Sequence, residues 1–303
     1  MRLPRLPKRG KTGVRVWRVE PGGIAERPDQ VATEEPLEIR LIHEGRTRTV
    51  AVTMRTPGDD AELALGFLFA EGVIGRREEV CRAGPCVATS VAAAAGCANI
   101  VEVELAAGMP EPELAGLDRH FFSTSACGVC GKAGLDALRL RVPEAIPAGP
   151  CIPAEIVAAL PARLREAQGL FASTGGLHAA ALFDTAGRLL AAREDVGRHN
   201  ALDKLVGWAF REGRLPLHGH AVLVSGRSSY EILQKCLAAG VPVVCAVSAP
   251  SSLAVELAER FGITLVGFLR GDRFNVYSGI ERIAGTALAR PRSRRQRAVL
   301  PTL

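Results

Sequence analysis

Apolar and polar positions alternate over residues 37–42 and again over 47–53, on either side of a His-Glu-Gly turn, which predicts a β-hairpin. Pro57-Gly58-Asp59-Asp60 then opens a helix to about residue 71, with Asp59 or Asp60 as the expected N-cap. Residues 75–97 carry little pattern, and 100–105 read as a strand. These elements predict a small α+β lobe over 36–120. Ahead of it, residues 1–35 mix Pro, Gly and charge and read as a basic arm with an edge segment.

Beyond this lobe the periodicity changes. A helix is predicted from 153 to about 167, a hairpin over 179–183 and 189–192, and a helix over 200–211. The clearest organisation lies between 220 and 270. An apolar run at 221–224 leads into Ser225-Gly-Arg-Ser228-Ser229 and a helix to 239. A second run at 243–247 leads into Ser248-Ala-Pro-Ser251-Ser252 and a helix to 260, and 264–268 is a third strand. This is a βαβαβ pattern in which a Ser-x-x-Ser-Ser turn recurs after 23 residues. Continuous apolar strands separated by helices predict a parallel sheet covered on both faces, with right-handed crossovers. The expected class is α/β: a C-terminal lobe over 135–285 plus the small N-terminal α+β lobe. A Gly- and Ser-rich loop over 121–134 joins them, and a basic tail over 286–303 follows.

Composition narrows the possibilities. The 303 residues suffice for two lobes without disulfide or metal staples, and 48% hydrophobic with 23% charged residues excludes collagen, coiled coil and wholesale disorder. Twelve of the 38 basic residues sit in the two ends, seven in the first 18 positions and five from Arg290 to Arg297. The body therefore carries 26 basic against 32 acidic residues. With aromatics at only 5%, a nucleic-acid partner is not expected. The basic N-terminus has no apolar stretch behind it, and the longest uncharged run, 83–101, is too weakly apolar to span a bilayer. A cytoplasmic location is expected, where eight cysteines suggest metal or thiol chemistry rather than a disulfide framework.

The two Ser-rich turns fall where parallel strands end and helices begin. Such positions offer unpaired N–H groups and a partial positive charge, outside the carboxyl ends of the strands where ligands of open α/β sheets bind. Ser225, Arg227, Ser228, Ser229 and Ser251 are thus candidates for holding a pyrophosphate, or are ordinary helix caps. The third strand runs into Phe268-Leu269-Arg270-Gly271-Asp272-Arg273, two arginines flanking a turn, which suits a phosphate or guanine or is a solvated turn. Gly175, Gly176 and His178 open the preceding hairpin. Glu194-Asp195-Val-Gly-Arg-His199-Asn200 closes it with a dense polar set in which Asp195 and His199 are candidates to pair. Glu194 and Asp195 are alternatively partners of a helix N-terminus.

Cys127-Gly-Val-Cys130-Gly-Lys132 lies in the joining loop. Exposure and a neighbouring cation favour a reactive thiolate. Zinc, a thioredoxin-like pair, a persulfide carrier and incidental thiols all remain open. Zinc lacks a second Cys-x-x-Cys, with only loosely spaced Cys81, Cys86 and Cys97 to help, and a redox pair lacks the strand–helix setting. The other six cysteines read as small core or surface residues.

Cys127-Gly-Val-Cys130-Gly-Lys132, Thr174-Gly-Gly-Leu-His178, the run from Glu194 to Lys204 and Val224-Ser-Gly-Arg-Ser228 together strongly resemble the FdhD family of formate dehydrogenase accessory sulfurtransferases. The resemblance runs from about residue 35 to 280 and leaves out the basic ends. It implies a C-terminal lobe similar to the cytidine deaminase fold, with a mixed sheet. It implies transfer of persulfide sulfur from a cysteine desulfurase to the molybdenum (or tungsten) bis-guanine-dinucleotide cofactor, which formate dehydrogenase then uses. Cys127 matches the family's persulfide cysteine and Cys130 its second loop cysteine, and the cofactor-binding segment falls on Phe268 to Arg273. The same cofactor is expected as a bound substrate over the Ser-rich turns, with Gly175, Gly176, His178 and His199 alongside, and no protein-bound metal is expected. A homodimer suits two cofactor ends or two clients. Zinc deaminase chemistry is not expected, since no Pro precedes Cys127 and no His-x-Glu occurs. The alternative is a cofactor-binding chaperone that inserts the dinucleotide without moving sulfur.

Overall fold

The computed structural model describes residues 10–87, 97, 99–112, 114 and 146–285. Cys127, Cys130 and Lys132, with the rest of the joining loop, lie outside the described residues, as do residues 1–9 and the basic tail. Strands β1 (Lys11–Glu20) and β2 (Gly23–Ala32) form a two-stranded ribbon, where the sequence suggested an arm and an edge strand. Its outer half leaves Trp17, Val19 and Ile24 exposed.

The N-terminal lobe is a four-stranded sheet ordered β4-β3-β6-β5, from β3 (Glu35–His43), β4 (Arg46–Arg55), β5 (Val80–Pro85) and β6 (Ile100–Leu105). The alternation read in the sequence places Leu37, Ile39 and Leu41 of β3 in its core, with Val101, Val103 and Leu105 of β6. Strand β5 falls in the poorly patterned stretch, because VCRAGP has neither a clean alternation nor an apolar run. It pairs antiparallel with β6, and the flanking Cys86 and Cys97 are joined by a disulfide, Cα–Cα 5.4 Å. This corrects the reading of those two as small core or surface residues and removes them as zinc ligands. The pairing of Pro85 with Val101 is what brings the flanks together.

Helix α1 (Asp60–Ala70) covers this sheet. Asp59 stands at its N-cap in a left-handed conformation, but its side chain makes no capping bond. The helix crosses α4 (Arg198–Arg211) of the other lobe with backbones almost touching. A Cβ on Gly66 would collide with the Asp203 carbonyl, and one on Gly207 with the Glu62 carbonyl. Only glycine permits this approach. The lobes therefore share one helix–helix seam, reinforced by Arg193, which donates to Glu62 Oε1 and Oε2 at 3.0 and 2.5 Å.

The C-terminal lobe is a six-stranded mixed sheet ordered β13-β12-β11-β10-β8-β9. Its strands are β8 (His178–Phe183), β9 (Leu189–Asp195), β10 (Ala221–Val224), β11 (Val243–Ala246), β12 (Thr264–Arg270) and β13 (Arg273–Ser278). β10, β11 and β12 run parallel, as the apolar runs predicted, while β8, β9 and β13 add antiparallel flanks. α4, α5 (Tyr230–Ala238) and α6 (Ser252–Phe261) bury one face of this sheet, and α2 (Ala154–Ala167) the other. A short pairing of β7 (Ile152–Pro153) with β14 (Ile283–Ala284) ties the ends of the lobe together. Cys236 and Cys245 sit in these cores, where burial pushes both thiols up to about 12, so they act as small apolar residues. No helix among the described residues is long and apolar enough to cross a membrane.

Gly207→Ala should lower the unfolding free energy by about 3 kcal/mol or more, since the overpacking falls on backbone that has no rotamer to yield. A urea midpoint near that of the wild type would show that the helices separate at little cost.

Candidate functional site

Topology gathers the candidate residues on one edge. β10, β11 and β12 end there, and antiparallel β8 begins there. His178 pairs across strands with Asp195, the last residue of β9. The paired glycines Gly175 and Gly176 enter the same edge from α3 (Gly169–Thr174), Gly175 as its left-handed C-cap.

The polar run at the end of β9 is mostly structural. Asp195 is fully buried and pairs with the Lys204 ammonium at 2.7 Å, not with His199. Its carboxylate also accepts from the backbone N–H groups of Thr56 (3.1 Å) and Gly197 (2.8 Å) and from Asn200 Nδ2 (3.1 Å). Lys204 Nζ in turn donates to the Thr56 carbonyl at 2.9 Å. The sequence spacing missed this pair because its residues lie nine apart, across the entry to α4, and its other anchor comes from the N-terminal lobe. Glu194 does serve a helix N-terminus, that of α3, accepting from the N–H groups of Leu170 and Phe171.

His199 finds Glu231 instead, Nε2 to Oε2 at 2.8 Å, with Ser229 Oγ at 3.3 Å. That hydrogen bond, outweighing burial and aided by the charge of Lys235 and Arg198, holds the Glu231 carboxyl below its ordinary range. His178 is shifted the other way. Burial, then the charges of Arg198 and His199, hold its imidazole below the ordinary 6.5. A Cβ on Gly226 would lie 3.3 Å from His178 Nδ1 and 3.6 Å from Arg198 Cδ, so glycine lets the turn approach both side chains.

The Ser-rich turns pack against each other. Ser228 N–H donates to the Ala249 carbonyl, Ser251 N–H to the Ser228 carbonyl, and Phe268 N–H to the Ser248 carbonyl. These three N–H groups are therefore not free for a phosphate, which corrects the expectation of two open turns. Ser251 is an ordinary cap, its Oγ accepting from Ala254 N–H, and Ser225 Oγ accepts from Ala179 N–H. Both hydroxyls keep a proton to donate. Ser229 makes no capping bond at α5, and the buried Ser228 Oγ has no partner among the described residues. Arg227 is exposed.

Two strands from β10, about 10 Å away, β12 turns into β13 through Gly271 and Asp272, with Arg270 facing Arg273 across the turn. Leu269 is buried beneath, while Phe268 is 41% exposed with φ of 53°. A bulky residue at positive φ is strained, and such strain concentrates at binding sites. The edge thus offers hydroxyl and cationic groups at β10 and an aromatic face with two arginines at β12. Among the described residues no cluster of three or more His, Cys, Asp or Glu is arranged to hold a metal ion.

A family model described as the FdhD/NarQ family matches residues 32–284. The chain belongs to this family. Among its FdhD/NarQ relatives, the sulfur carrier protein FdhD of Streptomyces avermitilis is 51% identical over 277 residues, 91% of this chain and 96% of that one. The sulfur carrier protein FdhD of Mycobacterium tuberculosis is 50% identical over 273 residues, 89% and 97% of the two chains. The fold matches a crystal structure from Desulfotalea psychrophila, of a protein assigned as a formate dehydrogenase accessory protein. There the TM-score is 0.70 and the identity 28%, over 90% of this chain and 99% of that one.

The depressed His178 sets a pH dependence. The unfolded chain takes up this proton near 6.5 and the folded chain only at lower pH, so the unfolded state binds more protons as pH falls. Stability should therefore fall between pH 7.5 and 5.5, and His178→Gln should lose less than the wild type over that range in urea titrations. Equal losses would remove His178 as a contributor.

Proposed function

We propose that this chain is a sulfur carrier: it takes sulfur as a persulfide on Cys127 and passes it to the molybdenum (or tungsten) bis-guanine-dinucleotide cofactor destined for formate dehydrogenase. The observation that carries this reading is the relatedness, at about half identity over nine-tenths of both chains, to proteins named sulfur carrier protein FdhD. The edge of the C-terminal sheet supports the acceptor. A dinucleotide has phosphates for the turn at Ser225–Ser229 and a guanine for the exposed face of Phe268, on the strand that leads to Arg270 and Arg273. The two halves lie about two strand spacings apart, within reach of one extended nucleotide.

The Cys127 thiolate attacks the outer sulfur of a persulfide on a cysteine desulfurase. A sulfur–sulfur bond forms at Cys127, the donor's bond breaks, and the donor cysteine leaves as its thiolate. Lys132 in the same loop favours the attacking thiolate. Cys130 then attacks the inner sulfur of Cys127, closing a disulfide between them as hydrosulfide leaves toward the bound cofactor. The chemistry requires no metal resident in the protein. It assigns the loop cysteines to transfer, the sheet edge to holding the acceptor, and the remaining cysteines to packing, surface or the Cys86–Cys97 staple. The protein works with a cysteine desulfurase upstream and formate dehydrogenase downstream, in the cytoplasm and as a homodimer.

Cys127→Ala should reduce activation of formate dehydrogenase to background while leaving the urea midpoint unchanged. Full activation by this variant would contradict sulfur transfer through Cys127 and would leave the role of a cofactor-binding chaperone.

A further inference from the structure

Arg198 is placed where a cation is least comfortable. It is the first residue of α4, after the N-cap Gly197, so its charge opposes the positive end of the helix dipole. Its Nε is buried and has no hydrogen-bond partner among the described residues. The carboxylates of this edge are engaged elsewhere, Asp195 with Lys204 and Glu231 with His199. No ion pair to Arg198 forms among the described residues, although it lies close enough to act electrostatically on both Glu231 and His178. Its side chain runs beside the Gly226 turn, and the ring of His178 lies against the same glycine. Two residues along the same turn, the Ser228 hydroxyl is fully buried and unpaired among the described residues.

A buried, unsatisfied donor typically costs a protein more than its hydrogen bond would return. Two orphaned donors beside a helix N-terminus and two imidazoles make an environment that lacks one thing, an anion with several acceptor oxygens. A phosphate matches that need, because a guanidinium binds it through planar paired donors. Glu231 lies near enough to feel this charge, but its carboxylate is hydrogen-bonded to His199 and forms no ion pair with Arg198.

We propose that Arg198 is the phosphate anchor of the edge, seating a pyrophosphate group against the Gly226–Ser229 turn with Ser228 as a second donor. The inference rests on the reading of this edge as a dinucleotide site and assigns the anchor to a residue that motif spacing did not single out. Arg227, exposed on the same turn, has a solvated charge and contributes to approach rather than to seating. Bound phosphate would also relieve the helix end at α4, so affinity and ligand-free stability should respond to Arg198 in opposite directions.

The test uses the full chain, with guanosine diphosphate and inorganic pyrophosphate as probes in titration calorimetry, and thermal melting without ligand. Arg198→Gln should weaken both probes at least tenfold, with Arg198→Lys between it and the wild type. The ligand-free glutamine variant should melt at or above the wild-type temperature, because it removes a cation from the positive end of α4 together with a buried, unpartnered donor. Equal affinity of wild type and Arg198→Gln, or no binding of either probe to the wild type at millimolar concentration, would overturn the anchor. So would a melting temperature several degrees lower for the glutamine variant, which would mean that the guanidinium has a structural partner. Failure of sulfur transfer is read separately, since an unmodified Cys127 leaves the difference in phosphate affinity intact.

Discussion

Asp195 ends β9 with no solvent exposure and receives four donors: the Lys204 ammonium, the Asn200 amide and the backbone N–H groups of Thr56 and Gly197. A buried ion pair adds stability only when its remaining hydrogen-bonding capacity is met, and here the carboxylate is met from both lobes. Thr56 brings the segment between β4 and α1, and Gly197 brings the start of α4. The same carboxylate therefore sets the entry of α4 and the seam it makes with α1. Everything downstream depends on that entry, because Arg198, His199 and the close approach at Gly207 follow from it.

Satisfaction around Asp195 throws the neighbouring turn into relief. Three residues past this saturated carboxylate comes Arg198, whose Nε is unpartnered, and the turn beside its side chain holds the Ser228 Oγ, also unpartnered among the described residues. Native proteins pair nearly all buried polar atoms; of the four left unpartnered among the described residues, these two share the edge where the proposed ligand would supply acceptors. The strained, exposed Phe268 two strands away belongs to the same logic. A rigid interior holds this edge, and the nucleotide proposed for it would bring phosphates and a base to these groups.

Much of the scaffold was legible in the sequence, because its signals are local. Continuous apolar runs marked β10, β11 and β12, alternation marked β3 and β4, and Ser-rich turns marked where α5 and α6 begin. Of the antiparallel flanks, β8 and β9 were visible as a hairpin, whereas of β13 only the turn leading into it was. What stayed hidden depends on distance along the chain. The partner of Asp195 could not be read from spacing, since burial rather than proximity selects Lys204 over His199. The mutual hydrogen bonding of the two Ser-rich turns was equally invisible, and it changes which groups can meet a ligand. Strand β5 and the Cys86–Cys97 link escaped because a weakly patterned edge segment carries no periodic signal. The Cys127–Cys130 pair is the reverse case: its motif stands out in the sequence, but it lies outside the described residues.

Sulfur on a single cysteine is the central claim, and it has a mass. Intact mass spectrometry after incubation with an active cysteine desulfurase and cysteine, followed by peptide mapping, reads it directly. One added sulfur on the peptide that contains Cys127, lost on treatment with reductant, is the predicted result. An unmodified Cys127 peptide beside a desulfurase shown to be turning over would contradict the carrier.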